Sequence, residues 1–442
     1  MTTATQSDLR LARPHPPSTT ARSYRRAGLI VAVLALAAMV AAWLFTNELR
    51  TSSDEVRTTA GPVLVALQDL NSSLAESDSA ASAAFLTSIE GEENRAQRGS
   101  YEAASDRGAR ALVEVATLAG GRSDEVDADL RSINADLGRR AGLFEAARST
   151  DDTERGTKRV VEALEITRDD IRPRIASIQE WAQARFDTES KPGTTWSLVA
   201  LASLALLAAA VLGVFVFAAF RSRRIVNVPL ALSLALVIGL FTHLIASFAA
   251  DTEALDRSNE GGYRSIDLLS QLQARAYQER SALSVGALTS DSVELEESSL
   301  GDIELPTLIE AIRNEAAMDP REAPLMARIG GAADSPRERA VAVELAIRYV
   351  RYRTGAEDVA ATLDRGDFVG AGQTLSGSTA ADFAGFNATL DNALADNRAQ
   401  FSDALDATDD LTRFLTPVSI AALLGALVLA WIGVGQRLRD FR

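Results

Sequence analysis

Four uninterrupted apolar runs divide the chain into alternating hydrophobic and charged stretches. They predict membrane spans at 27–47, 196–220, 225–250 and 414–436, because a helix needs about 20 apolar residues to cross the hydrocarbon core. The first run is longer than the ~7–15 apolar residues of a secretory signal, so we expect an uncleaved anchor. The pattern therefore predicts an all-α membrane protein with four transmembrane helices.

The long stretch at 48–195 has the periodicity of amphipathic helices. A seam of apolar and small residues with 3-4 spacing predicts a long first helix that packs in a left-handed bundle. The seam consists of Ala60, Val63, Leu67, Leu70, Leu74, Ser77, Ala81 and Ala84. Helices near 102–118 and 124–147 follow, separated by Gly120 and Gly121.

The last helix of this stretch is predicted from a further apolar stripe with a kink at Pro173. The stripe consists of Leu164, Ile171, Ile175, Ile178 and Ala182. Short loops between long amphipathic helices predict an antiparallel bundle of four-helix type.

The stretch at 251–413 predicts a second helical bundle with a less regular middle. Its apolar positions are Ile266, Leu269 and Leu272 at the start and Phe386, Leu390, Leu394, Phe401, Leu405 and Leu411 at the end. Between them, four prolines divide the chain into shorter helices: Pro306, Pro320, Pro324 and Pro336.

The two bundles share a motif that indicates an internal duplication. Residues 79–88 align without gaps to residues 281–290 in the pattern S-A-x-S-x-x-x-L-T-S, at an offset of 202. We expect the bundles to pack side by side as a pseudo-dimer, with both motifs at the membrane-distal turn. The motif has two interpretations: small residues that allow close helix packing, or a distal docking surface. The candidate surface residues are Ser79, Ser82, Leu86, Thr87, Ser281, Ser284, Leu288 and Thr289.

Charge follows the same division and predicts the orientation. The tail 1–26, which we expect to be disordered, the linker 221–224 and the tail 437–442 carry net charges of +4, +3 and +2. The stretches 48–195 and 251–413 carry −9 and −15. Basic segments next to spans remain cytoplasmic, so we expect a plasma-membrane protein with both termini inside and both bundles outside.

Six arginines beside the spans are expected to contact anionic membrane lipids. They are Arg22, Arg25, Arg26, Arg221, Arg223 and Arg224. A further hypothesis is that these arginines form part of a surface that a cytoplasmic partner recognises. The simpler explanation is that they only set the orientation of the spans.

Candidate chemistry is sparse. The chain has no cysteine, and its two histidines are His15 and His243. Thiol catalysis, a Ser-His-Asp triad and a His-rich zinc site therefore lack their residues, and no Gly-rich phosphate loop is present. The net charge of −15 argues against nucleic acid as a partner. We expect no enzymatic activity, no cofactor and no metal.

His243 is the one ionisable residue inside a predicted span. Such residues are functional candidates by default. The structural alternative is a neutral imidazole hydrogen-bonded to a neighbouring helix.

A long helix ending in Leu-Thr-Ser, at 86–88 and again at 288–290, resembles the four-helix-bundle sensor domains of chemoreceptors and histidine kinases. The plan of four spans, two bundles and no output domain resembles the GlnX-like membrane signal relays of actinobacteria. These accompany an amino-acid-binding lipoprotein (GlnH) and a Ser/Thr kinase (PknG). The resemblance implies a relay of extracellular aspartate or glutamate availability from lipoprotein to kinase, and it identifies no binding residue. An envelope scaffold or assembly factor, or an accessory subunit of a transporter, is the alternative.

Overall fold

A computed structural model describes residues 19–439 apart from 90–94, 190–193, 223–226, 258–262, 291, 294, 296–297, 302, 315–322 and 414. Every regular element in these ranges is helical, and they contain no strand. The expected disordered tail is helical from Thr19 onward, because no glycine or proline separates residues 19–26 from the apolar run. Residues 1–18 and the second-segment Pro320 lie outside the described residues.

Contacts divide the chain into two compact units. The first comprises residues 1–51, 192–251 and 410–442. Its helices are α1 (Thr19–Glu55), α7 (Thr194–Ser222), α8 (Val228–Arg257) and α15 (Leu415–Arg439). All four contain stretches that are long and apolar enough to cross a membrane, so they are candidate membrane spans.

Polar side chains join α8 to α15 inside this first unit. The Ser233 hydroxyl donates to the Ala426 carbonyl at 2.8 Å. The Asn227 amide donates to the Gly433 carbonyl at 3.1 Å. Both side chains are buried, and each satisfies a polar group that would otherwise be costly to bury.

The second unit contains two stretches, the first helical segment (Ser52–Lys191) and the second helical segment (Thr252–Asp409). The first segment has α2 (Gly61–Ile89), α3 (Arg95–Ala119), α4 (Asp124–Arg148), α5 (Thr153–Glu165) and α6 (Arg172–Glu189). The second has α9 (Arg264–Thr289), α10 (Leu305–Arg313), α11 (Leu325–Gly331), α12 (Pro336–Asp364), α13 (Phe368–Ser376) and α14 (Ser378–Arg413).

Local sequence explains where several of these helices begin and end. Gly121, with φ of +75°, lies in the turn between α3 and α4, where the left-handed backbone favours glycine. Helix α12 begins with a capping box, in which Ser335 accepts from Glu338 N–H and the Glu338 carboxylate accepts from Ser335 N–H. Pro306 and Pro336 occupy the first turns of α10 and α12. Proline is tolerated there because the backbone N–H that it lacks would have no intrahelical acceptor.

Two π-helical turns interrupt the first segment, at Val56–Ala60 and Ile166–Ile171. At each one, a backbone N–H donates to a carbonyl five residues back: Gly61 to Val56 and Arg172 to Thr167. A proline follows directly in both cases, Pro62 and Pro173. Proline cannot donate, and its ring displaces the carbonyl four residues back, which disturbs the regular α pattern just before it. The irregularity predicted at Pro173 is thus a π-helical turn.

The predicted apolar seams form the core of the second unit. Ala60, Val63, Leu67, Leu70, Leu74, Ser77 and Ala81 are buried, and Ala84 is half-buried. On α14, Phe386, Leu390, Leu394, Phe401 and Leu405 are buried, while the Leu411 side chain lies outside the described residues. Leu164 departs from its predicted stripe and is only half-buried, because the π-helical turn that follows it shifts the helical phase relative to Ile171.

Helices α2 and α9 lie against each other in the core of the second unit. The Gln68 amide donates to Asp267 at 2.7 Å. The hydroxyls of Ser82 and Ser281 are 3.3 Å apart. Asp69 on α2 pairs with Arg398 on α14. The first and second helical segments therefore share one compact core.

Candidate functional site

A cavity of about 50 Å³ lies between α2, α3, α4 and α5 of the first helical segment. Its walls are aromatic, formed by Phe85, Tyr101 and Phe144. The Tyr101 and Phe144 rings meet edge to face with centroids 5.6 Å apart, a favourable arrangement of their quadrupoles. We call this feature the aromatic pocket.

The aromatic pocket depends on one glycine. A Cβ atom at Gly156 on α5 would overlap the Phe85 ring. The absence of a side chain there lets α5 approach α2 with an aromatic ring between them. The N-cap of α5 is fixed by Asp152, whose carboxylate accepts from the Arg155 N–H at 3.1 Å.

Charged side chains line the rim of the aromatic pocket. The Arg98 guanidinium donates to Glu102 at 2.8 Å, and the Arg148 guanidinium donates to Glu145 at 2.8 Å. All four side chains are exposed, so each pair contributes at most about 1 kcal/mol to stability. The rim can therefore rearrange around a polar ligand at little cost.

A buried ion pair lies beside the aromatic pocket. Arg140 on α4 donates to the Asp78 Oδ1 atom on α2 from Nε at 2.9 Å and from Nη2 at 2.6 Å. The two side chains are only 3% and 6% exposed. The Thr167 hydroxyl, in the second π-helical turn, donates to the same oxygen at 3.2 Å. Arg140 also lies over the Phe144 ring at 5.0 Å, so the ion pair directly touches the pocket wall.

The polar contacts continue away from this pair. Arg140 Nη2 also donates to the Ser77 hydroxyl at 2.8 Å, and Ser77 lies 2.9 Å from the Ser105 hydroxyl on α3. Ser105 in turn hydrogen-bonds to Tyr101 of the aromatic pocket. The pocket and the Ser77 and Asp78 side chains of α2 are thus joined by a continuous chain of hydrogen-bonding side chains, here called the polar chain.

Burial sets the electrostatics of the polar chain. Burial raises the pKa of the Asp78 carboxyl, against the opposing effects of Arg140 and Thr167. Burial also raises the pKa of Tyr101, opposed by the nearby charge of Arg140. Both groups are more costly to ionise here than in water, so Asp78 depends on Arg140 to remain charged.

The second helical segment holds a comparable buried pair. Arg353 on α12 donates to Glu279 on α9 at 2.6 Å, with side chains 10% and 6% exposed. Around it lies a cluster of aromatic rings from α9, α12 and α14. The cluster consists of Tyr277, Tyr349, Tyr352, Phe383 and Phe386.

The predicted docking motif lies at the α2–α9 contact. Ser79, Ser82, Ser281 and Ser284 are buried, and so are removed from any surface open to a partner. Ser82 donates to the Asp78 carbonyl at 2.7 Å and Ser284 to the Arg280 carbonyl at 2.9 Å. These small residues let two helices approach closely. Leu86, Thr87, Leu288 and Thr289 are half-buried, and a docking role stays a prediction for them.

The predicted cytoplasmic arginines are only partly described. Arg25 and Arg26 on α1 are exposed. The side chains of Arg22 and Arg221, and the whole of Arg223 and Arg224, lie outside the described residues.

His243 lies on α8 with an exposed side chain. It lines an apolar groove that α15 completes with Val418 and Ala422. The hydrogen bond predicted for its imidazole is not found within the described ranges, because its ring lies on an exposed face of the first unit.

Comparison with known proteins gives one result. Residues 52–191 match the family model described as actinobacterial sensor domain, and these bounds coincide with those of the first helical segment. Neither curated proteins nor solved structures give a significant match. The aromatic pocket and the polar chain both fall within the matched residues. The family match supports an actinobacterial sensor-type protein with a sensory role.

Proposed function

We propose that the protein is a transmembrane sensor. It passes an extracellular signal to a separate cytoplasmic Ser/Thr kinase. The observation that carries this proposal is the match of residues 52–191 to the actinobacterial sensor domain. Four candidate spans support a place in the membrane.

The orientation follows from the arginine distribution. The three basic segments lie inside, in contact with anionic lipid, and the two acidic segments lie outside. Arg25 and Arg26 are exposed, which suits contact with lipid headgroups or with a cytoplasmic protein.

The two helical segments act as a pseudo-dimer built from one chain. The contacts of α2 with α9 support this idea, because an event in the first segment can reach the second through a single helix pair. A shift of the Phe144 wall moves Arg140, and Arg140 moves Asp78 on α2. The Ser82–Ser281 contact then passes the movement to α9. Small sliding of packed helices is an established form of such a transition.

The proposed partners are an extracytoplasmic amino-acid-binding lipoprotein and the kinase. The signal is the availability of aspartate or glutamate, which the lipoprotein senses. The protein acts by binding rather than by catalysis, since the sequence has no cysteine and only two histidines, too few residues for thiol catalysis or a His-rich zinc site.

Capture experiments test the proposal. Detergent-solubilised full-length protein is immobilised, and binding of the purified lipoprotein and kinase is measured with and without L-aspartate. We expect both proteins to bind, with kinase binding changed by aspartate only when the lipoprotein is present. Failure of either protein to bind would overturn the relay.

A pair of variants separates charge from specific docking. Replacing Arg25 and Arg26 by lysine keeps the charge and the topology, whereas replacement by glutamine removes the charge. Unchanged kinase capture by the lysine variant, together with loss of capture in the glutamine variant, shows that only charge matters at these positions. Loss of capture in the lysine variant shows that the guanidinium groups are specifically recognised.

A further inference from the structure

Arg280 on α9 is half-buried and differs from the buried Arg140 and Arg353 described above. Its guanidinium lies over the Phe383 ring, 4.8 Å from the centroid. Its Nε atom is shielded from solvent and makes no hydrogen bond. No hydrogen bond or ion pair of this side chain to a carboxylate occurs within the described ranges. Burial lowers the pKa of Arg280, opposed by the nearby phenol groups of Tyr352 and Tyr277.

The internal duplication sharpens this contrast. The offset of 202 that aligns the two motifs also aligns Asp78 of the first segment with Arg280 of the second segment. In the first segment, the position holds a carboxylate that pairs with Arg140. In the second segment, the same position holds a guanidinium. The neighbouring acid, Glu279, is already paired with Arg353.

We propose that Arg280, with Tyr277 and Phe383, forms a binding site for a small monocarboxylate. A guanidinium stays charged at all physiological pH values, so burial cannot be relieved by loss of a proton. An aromatic ring compensates only part of the cost of a desolvated charge. A carboxylate supplies the rest, because its two oxygens match the planar donors of the guanidinium.

The surroundings of Arg280 define the ligand further. Tyr277 precedes Arg280 by three residues on α9, so both side chains lie on one helix face. The Tyr277 ring meets Phe383 edge to face at 5.0 Å, and its hydroxyl makes no hydrogen bond within the described residues. It is therefore placed to donate to the same anion. Phe383 offers an apolar surface for the carbon end of the ligand.

Charge favours a single negative charge on the ligand. Glu76 and Asp391 lie close enough to raise the pKa of Tyr277, after the larger effect of burial, while Arg107 and Arg280 oppose them. Two acids close to Tyr277 disfavour a dianion such as phosphate at this site. This site does not depend on the proposed relay to a kinase.

Thermal unfolding of the full-length protein in detergent tests the site, with sodium acetate as the probe and sodium chloride holding ionic strength constant. A ligand that binds only the folded state raises the unfolding temperature saturably. We expect acetate to raise the unfolding temperature in this way. Acetamide, the uncharged counterpart of acetate, should not raise it, and neither should phosphate at the same ionic strength. Tyr277→Phe should weaken the acetate affinity about five- to tenfold, as expected for the loss of one hydrogen bond.

Arg280→Met decides the assignment. This variant should lose the acetate response and, without acetate, unfold at the same or a higher temperature than the wild-type protein, because an unpaired charge is removed. Arg168→Met, which changes an exposed arginine of the first segment, is the matched control and should keep the response. An acetate response that survives in Arg280→Met overturns the proposal, as does its absence from the wild-type protein. If Arg280→Met fails to fold, Arg280→Lys and Tyr277→Phe decide by whether the acetate affinity falls.

Discussion

At the scale of single residues, the stability of the first helical segment depends on the buried Asp78–Arg140 pair. Arg140→Met leaves the Asp78 carboxylate buried without its cation. We expect this change to lower the free energy of unfolding by about 3–5 kcal/mol. Urea unfolding of detergent-solubilised protein, followed by circular dichroism at 222 nm, roughly the helical minimum, measures the loss.

Two further variants control this prediction. Arg168→Met removes an arginine from a pair that is 67% and 59% exposed, and should cost less than about 1 kcal/mol. The double variant Asp78→Leu/Arg140→Met removes both buried charges and should recover much of the loss. If Arg140→Met costs no more than Arg168→Met, the pair does not stabilise the fold.

Sequence reasoning did not identify this pair, for a physical reason. Asp78 is one of 60 acidic residues, and nothing local distinguishes it from a solvated neighbour. Its partner is 62 residues away along the chain. The one sequence feature that hints at the pair is the position of Asp78 next to Ser77 in the apolar seam of α2. An acidic side chain there must either face solvent or form an ion pair. The serines of the repeated motif were visible in the sequence, but their burial depends on the packing of α9.

At the scale of helices, Asp267 joins three elements. Its carboxylate accepts from Gln68 on α2 at 2.7 Å, from Gln271 on α9 at 2.7 Å, and from Gln179 on α6 at 3.5 Å. Burial raises its pKa, opposed by these amides and by the more distant charge of Arg328. The folded state therefore binds this proton more tightly than the unfolded state does.

This arrangement predicts a pH dependence. Stability should fall as pH rises from the unfolded value near 3.8 through the raised pKa of Asp267, because the folded state then holds a costly charge. Asp267→Asn removes the titration. The stability of Asp267→Asn relative to the wild-type protein should therefore increase over that pH interval and then remain constant. A pH-independent difference would show that Asp267 titrates normally.

The contact between α2 and α9 predicts a crosslink. Cysteines at Ser82 and Ser281, whose hydroxyls are 3.3 Å apart, should form a disulfide within one chain under mild oxidation. The absence of native cysteine makes the assay specific. Cysteines at Ser82 and the exposed Ser100 form the matched control and should stay reduced. Products that link only separate chains would contradict the pseudo-dimer.

Helix positions were largely predictable from the sequence, whereas helical phase was not. The turn at Gly120 and Gly121, the seam of α2 and the shorter helices that begin near Pro306, Pro324 and Pro336 all occur as predicted. Leu164 was assigned to the wrong face. Apolar spacing assumes 3.6 residues in every turn, and the π-helical turn before Pro173 breaks that assumption at one point. Pro173 indicates an irregularity here, but the sequence does not show that it takes the form of a π-helical turn.

At the scale of the whole molecule, the charge distribution predicts which regions an external reagent can reach. Cysteines at the exposed positions Ser100 and Ser402 should react with an impermeant maleimide in intact cells. A cysteine at Ser18 should react only after the cells are broken. Labelling at Ser18 in intact cells, without labelling at the two helical positions, would reverse the proposed orientation.

The π-helical turn at Ile166–Ile171 also bears on how this region can change by mutation. Loss of the Thr167 codon would remove the extra residue and restore regular α winding without rotating α5 against α6, because Ala163 would then lie seven residues, about two turns, before Ile171. Ala163 and Ile171 are both buried, so the core-facing sides of the two helices would stay aligned. The Thr167 hydrogen bond to Asp78 would be lost with the turn. A one-residue deletion at this point therefore separates the packing of α5 and α6 from the polar contact that the turn supplies.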